Sequence, residues 1–388
     1  MNFLLISSDQ YPDKYAAPIR HSTITRGLVE QGHTVNFLLL SPQNWGNSQT
    51  LDYFGIHFET YNSYTGSNKI LKKIYEYKAI RKVNKWIRVK AAAKALDAVV
   101  IFTTESFPIS LITKQAHAAG IKIFHERTEL PYASLSFYNK GENTLDYYLK
   151  KLLPRFDGVF VINDKLNNYI LQFNSNTQKL LTVVDLSFFK TNTASPYPFK
   201  YVAYCGQIWG EKDGVPILIE AFSKVTKSFP LLKLVLVGDT SKKQLIKETT
   251  DAIEKLNISD KVIFTGLVER EMMPVILCNA EILVVSKPDN ERNSGNFPIK
   301  IGEYLATGVP VVVTKVGEIP LFIKDGESGF LAAPGSAIAF AEKMQEALND
   351  PEHAKLIGEN GRKVAETFFD YRIQAQVMAD YISKKIKQ

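Results

Sequence analysis

Few cysteines, no long apolar run and no secretion signal set the first limits on this sequence of 388 residues. The two cysteines, Cys205 and Cys278, lie in apolar contexts without metal-ligand spacing, so we expect free thiols in a reducing compartment, with one buried pair as the alternative. No apolar run approaches the roughly 18 residues of a membrane-spanning helix. Residues 1–8 lack the basic flank and the long apolar stretch of a signal peptide. These absences favour a cytoplasmic protein over a secreted, two-lobed solute-binding protein.

Several catalytic and binding motifs are also absent. The sequence contains no Walker loop, no His-Glu-x-x-His, no Cys-x-x-Cys and no Gly-x-Ser-x-Gly. No Gly-x-Gly-x-x-Gly follows the first predicted strand, which weakens the case for a nicotinamide dehydrogenase. An Asp-x-Asp motif, which would suit a metal–diphosphate site, is missing too. We therefore predict neither a bound metal nor a bound cofactor.

The main structural signal is an alternation of short apolar runs with helical patterns, in a chain long enough for two α/β domains. The predicted strands are 2–7, 34–40, 98–102, 121–124 and 158–162 in the first half, and 201–205, 233–237, 261–265, 281–285 and 309–314 in the second. Strand–helix alternation of this kind is typical of parallel sheets covered on both faces. It predicts an α/β fold of two doubly wound, Rossmann-like domains that face each other across a cleft.

The domain boundary is predicted where residues 191–199 interrupt any regular element with Thr, Ser and Pro. We predict an N-terminal domain over 1–190 and a C-terminal domain over 199–365. A C-terminal helix over 366–388 is expected to pack back towards the N-terminal domain.

The net charge of +7 arises in the first half of the chain. Residues 1–190 carry 23 Lys and Arg against 15 Asp and Glu, whereas residues 191–388 carry 24 against 25. Between Lys69 and Lys94, ten basic residues accompany one acid, Glu76, and apolar residues recur every three to four positions, which predicts an amphipathic helix. Such a helix either lies on an anionic membrane surface or packs its apolar stripe on the sheet with its charges in water. We therefore expect a cytoplasmic protein, with peripheral binding at the inner membrane face as the alternative. No nucleic-acid partner is expected, because no nucleic-acid-binding motif accompanies the charge.

Ligands of such sheets bind beyond the carboxyl ends of the strands, so the loops that follow strands are the places to search. The loop at 206–214 contains Gly206, Gln207 and Lys212 ahead of a predicted helix. Glycine lets a ligand approach the backbone, a helix N-terminus favours an anion, and Lys212 adds a positive charge. The loop therefore suits a diphosphate, although an ordinary turn has the same composition.

Two further loops carry candidate site residues. Gly295, Asn296, Phe297 and Pro298 precede a predicted helix over 298–307 that ends at Gly308. Glu303 lies between one and two turns inside that helix, where a carboxylate accepts hydrogen bonds from sugar hydroxyls or is simply an exposed helix residue. After the strand at 121–124, the charged run His125, Glu126 and Arg127 indicates either the polar floor of an acceptor or sugar site or a solvated loop.

Short motifs, each weak alone, follow in an order typical of a known family. Gly206-Gln-Ile…Lys212-Asp-Gly…Leu-Ile-Glu-Ala-Phe222 resembles the family element Gly-Arg-Leu…Lys-Gly…Leu-Ile-x-Ala-Phe, and 184–189, 236–239, 264–266 and 303–312 match in order and spacing. The chain thus resembles the retaining GT-B glycosyltransferases of family 4 over nearly its whole length, most strongly from 201 to 335. The resemblance implies that Lys212 holds the donor diphosphate, that Glu303 binds the ribose and that the backbone at 296–298 approaches the diphosphate and sugar. It places Gly266 and Val268 beside the base.

The chain departs from the family pattern at two positions. Gly295 stands where the first acid of the family's Glu-x7-Glu motif belongs, and Gln207 stands where a basic residue is usual. The Phe-Pro-x-Lys-x-x-Glu-Tyr pattern at 297–304 resembles a recognised branch of the same family, so we interpret the site as a variant.

The resulting prediction is a retaining, metal-independent hexosyltransferase. It would move a sugar from a UDP-, GDP- or ADP-sugar to a glycan or lipid-linked acceptor in cell-surface polysaccharide synthesis. The alternatives are a non-catalytic nucleotide-sugar-binding protein of the same fold, and a nucleotide-sugar epimerase or hydrolase.

Overall fold

The computed structural model describes residues 1–11, 16–46, 48–133, 142–190, 193–210 and 212–388. Part of the segment after the first strand and part of the predicted boundary at 191–199 lie outside the described residues. So does Glu211, in the loop at 206–214 that is predicted to bind the donor (the first donor loop). The chain forms two compact units, Met1–Val183 together with Tyr371–Gln388 (the first unit), and Val184–Asp370 (the second unit). Each unit has a parallel or nearly parallel sheet and its own apolar core.

The described residues of the first unit form eight strands and five helices before the chain leaves it. The strands are β1 (Asn2–Ser7), β2 (Thr34–Leu39), β3 (Thr50–Tyr53), β4 (Ile56–Thr60), β5 (Ala98–Ile101), β6 (Lys122–Arg127), β7 (Gly158–Val161) and β8 (Thr177–Lys179). The helices are α1 (Ala16–Glu30), α2 (Lys69–Ala92), α3 (Ser106–Ala118), α4 (Glu142–Tyr147) and α5 (Asp164–Ile170), and a π-helical turn follows α4 at Tyr148–Leu152. The sheet order is β3-β4-β2-β1-β5-β6-β7-β8, and every pair is parallel except β3 with β4.

The second unit contains a six-stranded parallel sheet. Its strands are β9 (Tyr201–Cys205), β10 (Lys233–Val237), β11 (Val262–Gly266), β12 (Ile282–Val285), β13 (Val311–Thr314) and β14 (Phe330–Ala332). Its helices are α6 (Val215–Val225), α7 (Lys243–Lys255), α8 (Met272–Cys278), α9 (Glu291–Ser294), α10 (Ile299–Thr307), α11 (Ile319–Phe322), α12 (Ala337–Asn349) and α13 (Pro351–Val364). The sheet order is β11-β10-β9-β12-β13-β14, the order of a dinucleotide-binding sheet, in which the strand order reverses between β9 and β12. The carboxyl ends of β9 and β12 are therefore where a ligand is expected.

The chain returns to the first unit through α14 (Tyr371–Ile386). This helix packs on α1, where Gly27 leaves room for Ala375 and Tyr371, and the Tyr371 hydroxyl donates a hydrogen bond of 2.8 Å to Glu30. Tyr371, Ala375, Met378 and Ile382 are buried in the first unit's core. The C-terminal residues thus complete the core of a unit formed mainly by the N-terminal half of the sequence.

The structure confirms the α/β class with two parallel-sheet units. All ten predicted strands are present within one to three residues of their predicted ends. The strand predicted at 121–124 is longer than predicted, because β6 continues through Arg127. The charged run His125–Arg127 therefore belongs to the sheet, and the prediction of a loop there is wrong. The short strands β3, β4, β8 and β14 and the helix α13 are not among the sequence predictions.

Helix α2 begins at Lys69, as the charge pattern predicts. The Asn68 side chain accepts hydrogen bonds from the backbone N–H groups of Ile70 and Leu71 and so caps its first turn. In the second half of the helix Ile80, Val83 and Ile87 are buried, whereas Ile70 near its start is 72% exposed. The predicted apolar stripe is therefore buried only from the middle of the helix onwards, where α2 packs beside α3.

Candidate active site at the carboxyl edge of the second unit

The loop after β9 is held in place by two glycines. Gly206 has φ +150°, a conformation that side-chain-bearing residues rarely adopt, and its N–H donates to the carbonyl of Val237 at 2.8 Å. Gly214 has φ +71°, and a Cβ there would overlap the carbonyl of Ser286 just after β12. The Ser286 hydroxyl donates to the Gly214 carbonyl at 2.7 Å. The loop is thus fastened to the ends of β10 and β12, the two strands that flank β9.

Lys212 is positioned through its backbone. Its carbonyl accepts a hydrogen bond of 3.1 Å from the side chain of Asn293, which is buried. The Lys212 ammonium makes no hydrogen bond or ion pair with any other residue within the described ranges. An ammonium with no protein partner, next to a fastened glycine loop, is available to an anionic ligand.

Asp213 forms a buried ion pair with a lysine from α10. Lys300 Nζ lies 2.7 Å from Asp213 Oδ2, with the two side chains 16% and 6% exposed, and the Tyr204 hydroxyl donates to the same oxygen at 2.9 Å. Burial by itself would raise the pKa of Asp213, but the Lys300 ammonium outweighs it and lowers the pKa to about 2. The carboxylate is therefore ionised at neutral pH and holds α10 to the first donor loop.

The segment that contains Gly295 leads into α10. The short helix α9 ends at Gly295, and the Asn296 side chain accepts a hydrogen bond of 3.0 Å from the Lys287 ammonium. The helix begins at Ile299, so Pro298 comes immediately before it and is not its first residue, in contrast to the prediction. Gly308 ends the helix in the left-handed conformation, with φ +76°, as predicted.

Phe297 faces the interior of the second unit. Its ring lies 5.4 Å from the rings of both Phe322 and Phe369, and the residue is buried. Only the backbone of Phe297 is therefore in a position to meet a ligand.

Glu303 lies half-buried on α10. Burial raises the pKa of its carboxyl, against the opposing fields of Arg270 and Lys300. The next residue, Tyr304, accepts a hydrogen bond of 2.7 Å from the N–H of Cys205 and so joins α10 to the end of β9. Glu303 thus belongs to the same edge of the sheet as the first donor loop.

Gly266 is the last residue of β11, with φ +73°, and its carbonyl accepts from the Gly238 N–H at 3.2 Å. Val268 follows two residues later and is half-buried. The structure therefore places all predicted donor-site residues after the carboxyl ends of β9, β11 and β12 in one unit.

The predicted acceptor-side residues lie in the first unit, on β6. His125 is fully buried, with Nδ1 2.8 Å from the carbonyl of Ile101 and Nε2 2.9 Å from the hydroxyl of Tyr148. Burial and the Arg127 cation lower the pKa of His125 to about 3, so the ring is neutral. Both ring nitrogens are engaged inside the unit.

Glu126 lies in a buried polar network with two residues of α1. Arg20 donates to Glu126 Oε1 through Nε at 3.1 Å and through Nη2 at 3.0 Å, and His21 Nε2 lies 2.9 Å from Glu126 Oε2. The other ring nitrogen of His21 lies 2.7 Å from the hydroxyl of Tyr11. Burial opposes ionisation of Glu126, but Arg20 and His21 together lower its pKa to about 2.

The sequence analysis does not single out Arg20, His21, Asp213, Lys287 or Lys300. A signal for Lys300 exists in the Phe-Pro-x-Lys pattern at 297–300. Glu126, the shared partner of Arg20 and His21, lies more than 100 residues away from them, so no local pattern connects it to these two residues.

The matched segment of the chain covers these donor-site elements. Residues 188–364 fit the family model described as glycosyl transferases group 1. The matched segment is slightly less than half of the chain, and through it the chain is similar to this family. The match agrees with the family resemblance stated in the sequence analysis.

Two curated proteins have similar sequences. N-acetyl-alpha-D-glucosaminyl L-malate synthase of Bacillus anthracis is 29% identical over 165 residues, which are 42% of this chain and 40% of that protein. The capsular polysaccharide biosynthesis glycosyltransferase CapM of Staphylococcus aureus is 29% identical over 177 residues, 44% of this chain and 43% of that protein. The match thus spans about two fifths of the length of these relatives.

Solved glycosyltransferase structures are similar over the whole chain. Sucrose-phosphate synthase from Thermosynechococcus elongatus has a TM-score of 0.74 and 18% identity, covering 99% of this chain and 98% of that one. HepE of Anabaena in complex with UDP-glucose has a TM-score of 0.72 and 18% identity, covering 99% and 100%. These likenesses confirm the GT-B fold.

Proposed function

We propose that the protein is a retaining glycosyltransferase that moves a hexose from a nucleoside-diphosphate sugar to a glycan or lipid-linked acceptor in polysaccharide synthesis. The second unit would bind the donor and the first unit the acceptor. The observation that carries the proposal is the Lys212 ammonium beside the fastened loop at Gly206 and Gly214, in the segment that matches the family model. HepE, which has the same fold, is known in complex with UDP-glucose, and this supports a nucleotide-sugar donor.

The proposed mechanism stabilises the negative charge that develops on the diphosphate as the sugar leaves. When the sugar leaves, negative charge grows on the diphosphate oxygens, and catalysis requires groups that bind this charge more strongly in the transition state than in the ground state. Lys212 and the backbone N–H groups at the start of α10 would serve this purpose without a metal ion. Glu303 would accept hydrogen bonds from the ribose hydroxyls, and Gly266 and Val268 would lie beside the base.

Retention would follow from attack of the acceptor on the face that the leaving group departs. In this route the acceptor oxygen forms the new bond to the anomeric carbon as the bond to the diphosphate breaks. The proton of the acceptor hydroxyl goes to the departing phosphate oxygen. No side chain of the protein acts as nucleophile.

The donor and the reaction are tested together by thermal shift and turnover. We expect one of UDP-, GDP- and ADP-glucose to stabilise the protein, by about 2.7 kcal/mol at a hundredfold excess over Kd. Lys212→Ala should lose this stabilisation and about 100-fold or more in transfer rate, whereas Lys227→Ala, an exposed lysine after α6, should behave as the wild type.

The outcomes separate the proposal from its alternatives. Donor binding without turnover would favour a nucleotide-sugar-binding protein. Product released without an acceptor would favour an epimerase or hydrolase. Normal turnover in Lys212→Ala would contradict the role given to this residue.

We further propose that the first unit binds an anionic membrane surface through α2. Near the start of this helix Ile70, Leu71, Ile74 and Tyr77 are exposed among lysines. Further along, a groove of about 350 Å³ is lined by Tyr61, Lys82, Lys85, Trp86, Val89 and Lys90. Exposed apolar side chains flanked by cations suit the boundary between headgroups and acyl chains. No helix in the described part of the chain is long and apolar enough to cross a membrane.

A further inference from the structure

Two lysines adjoin the predicted diphosphate loop. Lys287 comes two residues after β12, next to Ser286, and is 2% exposed. Lys300 projects from the first turn of α10 to Asp213, and its side chain is 16% exposed. A buried ammonium, a half-buried ammonium and a buried carboxylate therefore lie at the same edge of the sheet.

The charges around Lys287 are mostly of its own sign. Its ammonium donates to the neutral side chain of Asn296 at 3.0 Å, and the cations of Lys300, Lys212 and Arg292 act on it from three different segments. Asp213 is the acid that favours the charged form of Lys287. The Asp213 carboxylate, however, already pairs with the Lys300 ammonium at 2.7 Å. Burial first, and then these cations, lower the pKa of Lys287 to about 7. A buried ammonium that shares one carboxylate with a second ammonium gains from an added anion.

The Lys300 ammonium occupies the space that a side chain at position 206 would fill. A Cβ on Gly206 would overlap the Lys300 ammonium, so this cation lies directly against the loop backbone. The next residue, Gln207, turns its side-chain amide back to the carbonyl of Trp209 at 3.0 Å. The cation at this point of the loop therefore comes from α10.

We propose that Lys287 and Lys300 bind the diphosphate of the donor, with Lys300 placing its cation against the loop backbone at Gly206. This inference rests on the proposed nucleotide-sugar donor. It adds two phosphate-binding residues to Lys212. Asp213 is a positioning residue, because it holds Lys300 against the loop.

The experiment is isothermal titration calorimetry with UDP, GDP and ADP and with the matching nucleosides. We expect Lys287→Met and Lys300→Met each to weaken binding of the preferred diphosphate about tenfold or more and to leave the nucleoside affinity unchanged. Lys227→Met is the matched control and should bind as the wild type.

Proton uptake separates the two lysines. Titrations of the diphosphate at about pH 7.5 in two buffers with different heats of ionisation should show uptake of protons by the wild type, since the Lys287 amine becomes charged as the anion binds. Lys300→Met should take up fewer protons, because loss of the Lys300 cation raises the pKa of Lys287 towards its ordinary value. Lys287→Met should show none. A Lys287→Met protein that takes up as many protons as the wild type would overturn the assignment.

A double variant controls for folding, since Lys300→Met leaves the Asp213 carboxylate buried and unpaired. Asp213→Asn with Lys300→Met removes both charges, and we expect it to fold and to bind the diphosphate as weakly as Lys300→Met. Wild-type affinity in this variant and in Lys287→Met would overturn the inference and leave the proposed donor intact. If no diphosphate binds the wild-type protein, both the inference and the proposed function fail.

Discussion

Gly214 illustrates how much one residue decides at the donor loop. Its left-handed backbone, with φ +71°, suits glycine, and any Cβ would overlap the carbonyl of Ser286. The close approach lets Ser286 donate to the Gly214 carbonyl and aligns Lys212 and Asp213 beside β12. Because the composition of the loop also suits an ordinary turn, its sequence does not reveal this fastening.

Glu126 gives a residue-scale prediction about pH. Its pKa of about 2 in the folded protein lies below the ordinary value of 4.5, so the ionised form stabilises the first unit above pH 4.5. This contribution is lost as the pH falls from 4.5 towards 2. We expect Glu126→Gln to lower the free energy of unfolding at pH 7 by about 3–5 kcal/mol, because Arg20 is left buried without its carboxylate. Denaturant unfolding across this pH range measures both effects.

The control for this prediction is Asp146→Asn. Asp146 forms an exposed pair with Lys150, and such pairs contribute about 0–1 kcal/mol. An acid dependence of stability in Glu126→Gln as steep as that of the wild type would show that the network does not hold the carboxyl ionised.

Helix α2 shows two environments along a single element. Its C-terminal part is anchored by Ile80, Val83 and Ile87, and its N-terminal part exposes Ile70 and Ile74. The periodicity of the sequence continues through both parts, so it predicts the helix without predicting which part is covered. The exposed N-terminal part is the part for which membrane binding is proposed, whereas the C-terminal part is covered within the first unit.

The membrane proposal is tested at this scale with vesicles. We expect the protein to sediment with phosphatidylglycerol-containing vesicles and not with phosphatidylcholine alone, and the binding to weaken as salt rises. Lys72→Gln with Lys73→Gln should reduce the affinity about 30-fold, because each cation near the surface contributes about 1 kcal/mol. Lys224→Gln with Lys227→Gln, in the second unit, should leave it unchanged. Equal sedimentation with both kinds of vesicle would argue against the proposal.

At the scale of the whole molecule, the chain crosses from the first unit to the second and back. Helix α14 returns to α1, and their contact depends on the absence of a side chain at Gly27, where a Cβ would lie 2.6 Å from the Cβ of Ala375. The last residues of the sequence are therefore part of the first unit's core, among them Met378 and Ile382.

This return of the chain predicts the effect of Gly27→Val. The added side chain must push α14 from α1, and we expect a loss of about 1–3 kcal/mol in the stability of the first unit. Hydrogen exchange should accelerate in both α1 and α14, with nucleotide binding by the second unit retained. Ala17→Val, on the exposed part of α1, is the control and should cost only a few tenths of a kcal/mol. Acceleration limited to α1 would contradict the packing.

The sequence alone determined the α/β class, ten of the strands of the two sheets, the helix that begins at Lys69 and the glycine-containing loop at 206–214. These features depend on local periodicity, on glycine and proline positions and on motif order, which neighbouring residues encode. Tertiary structure decided which charges meet: Lys300 with Asp213, Lys287 with Asn296, and Arg20 with Glu126. It also decided that His125 is buried and that α14 completes the first unit. Pairing and burial depend on elements distant in the chain, so no pattern within a single segment specifies them.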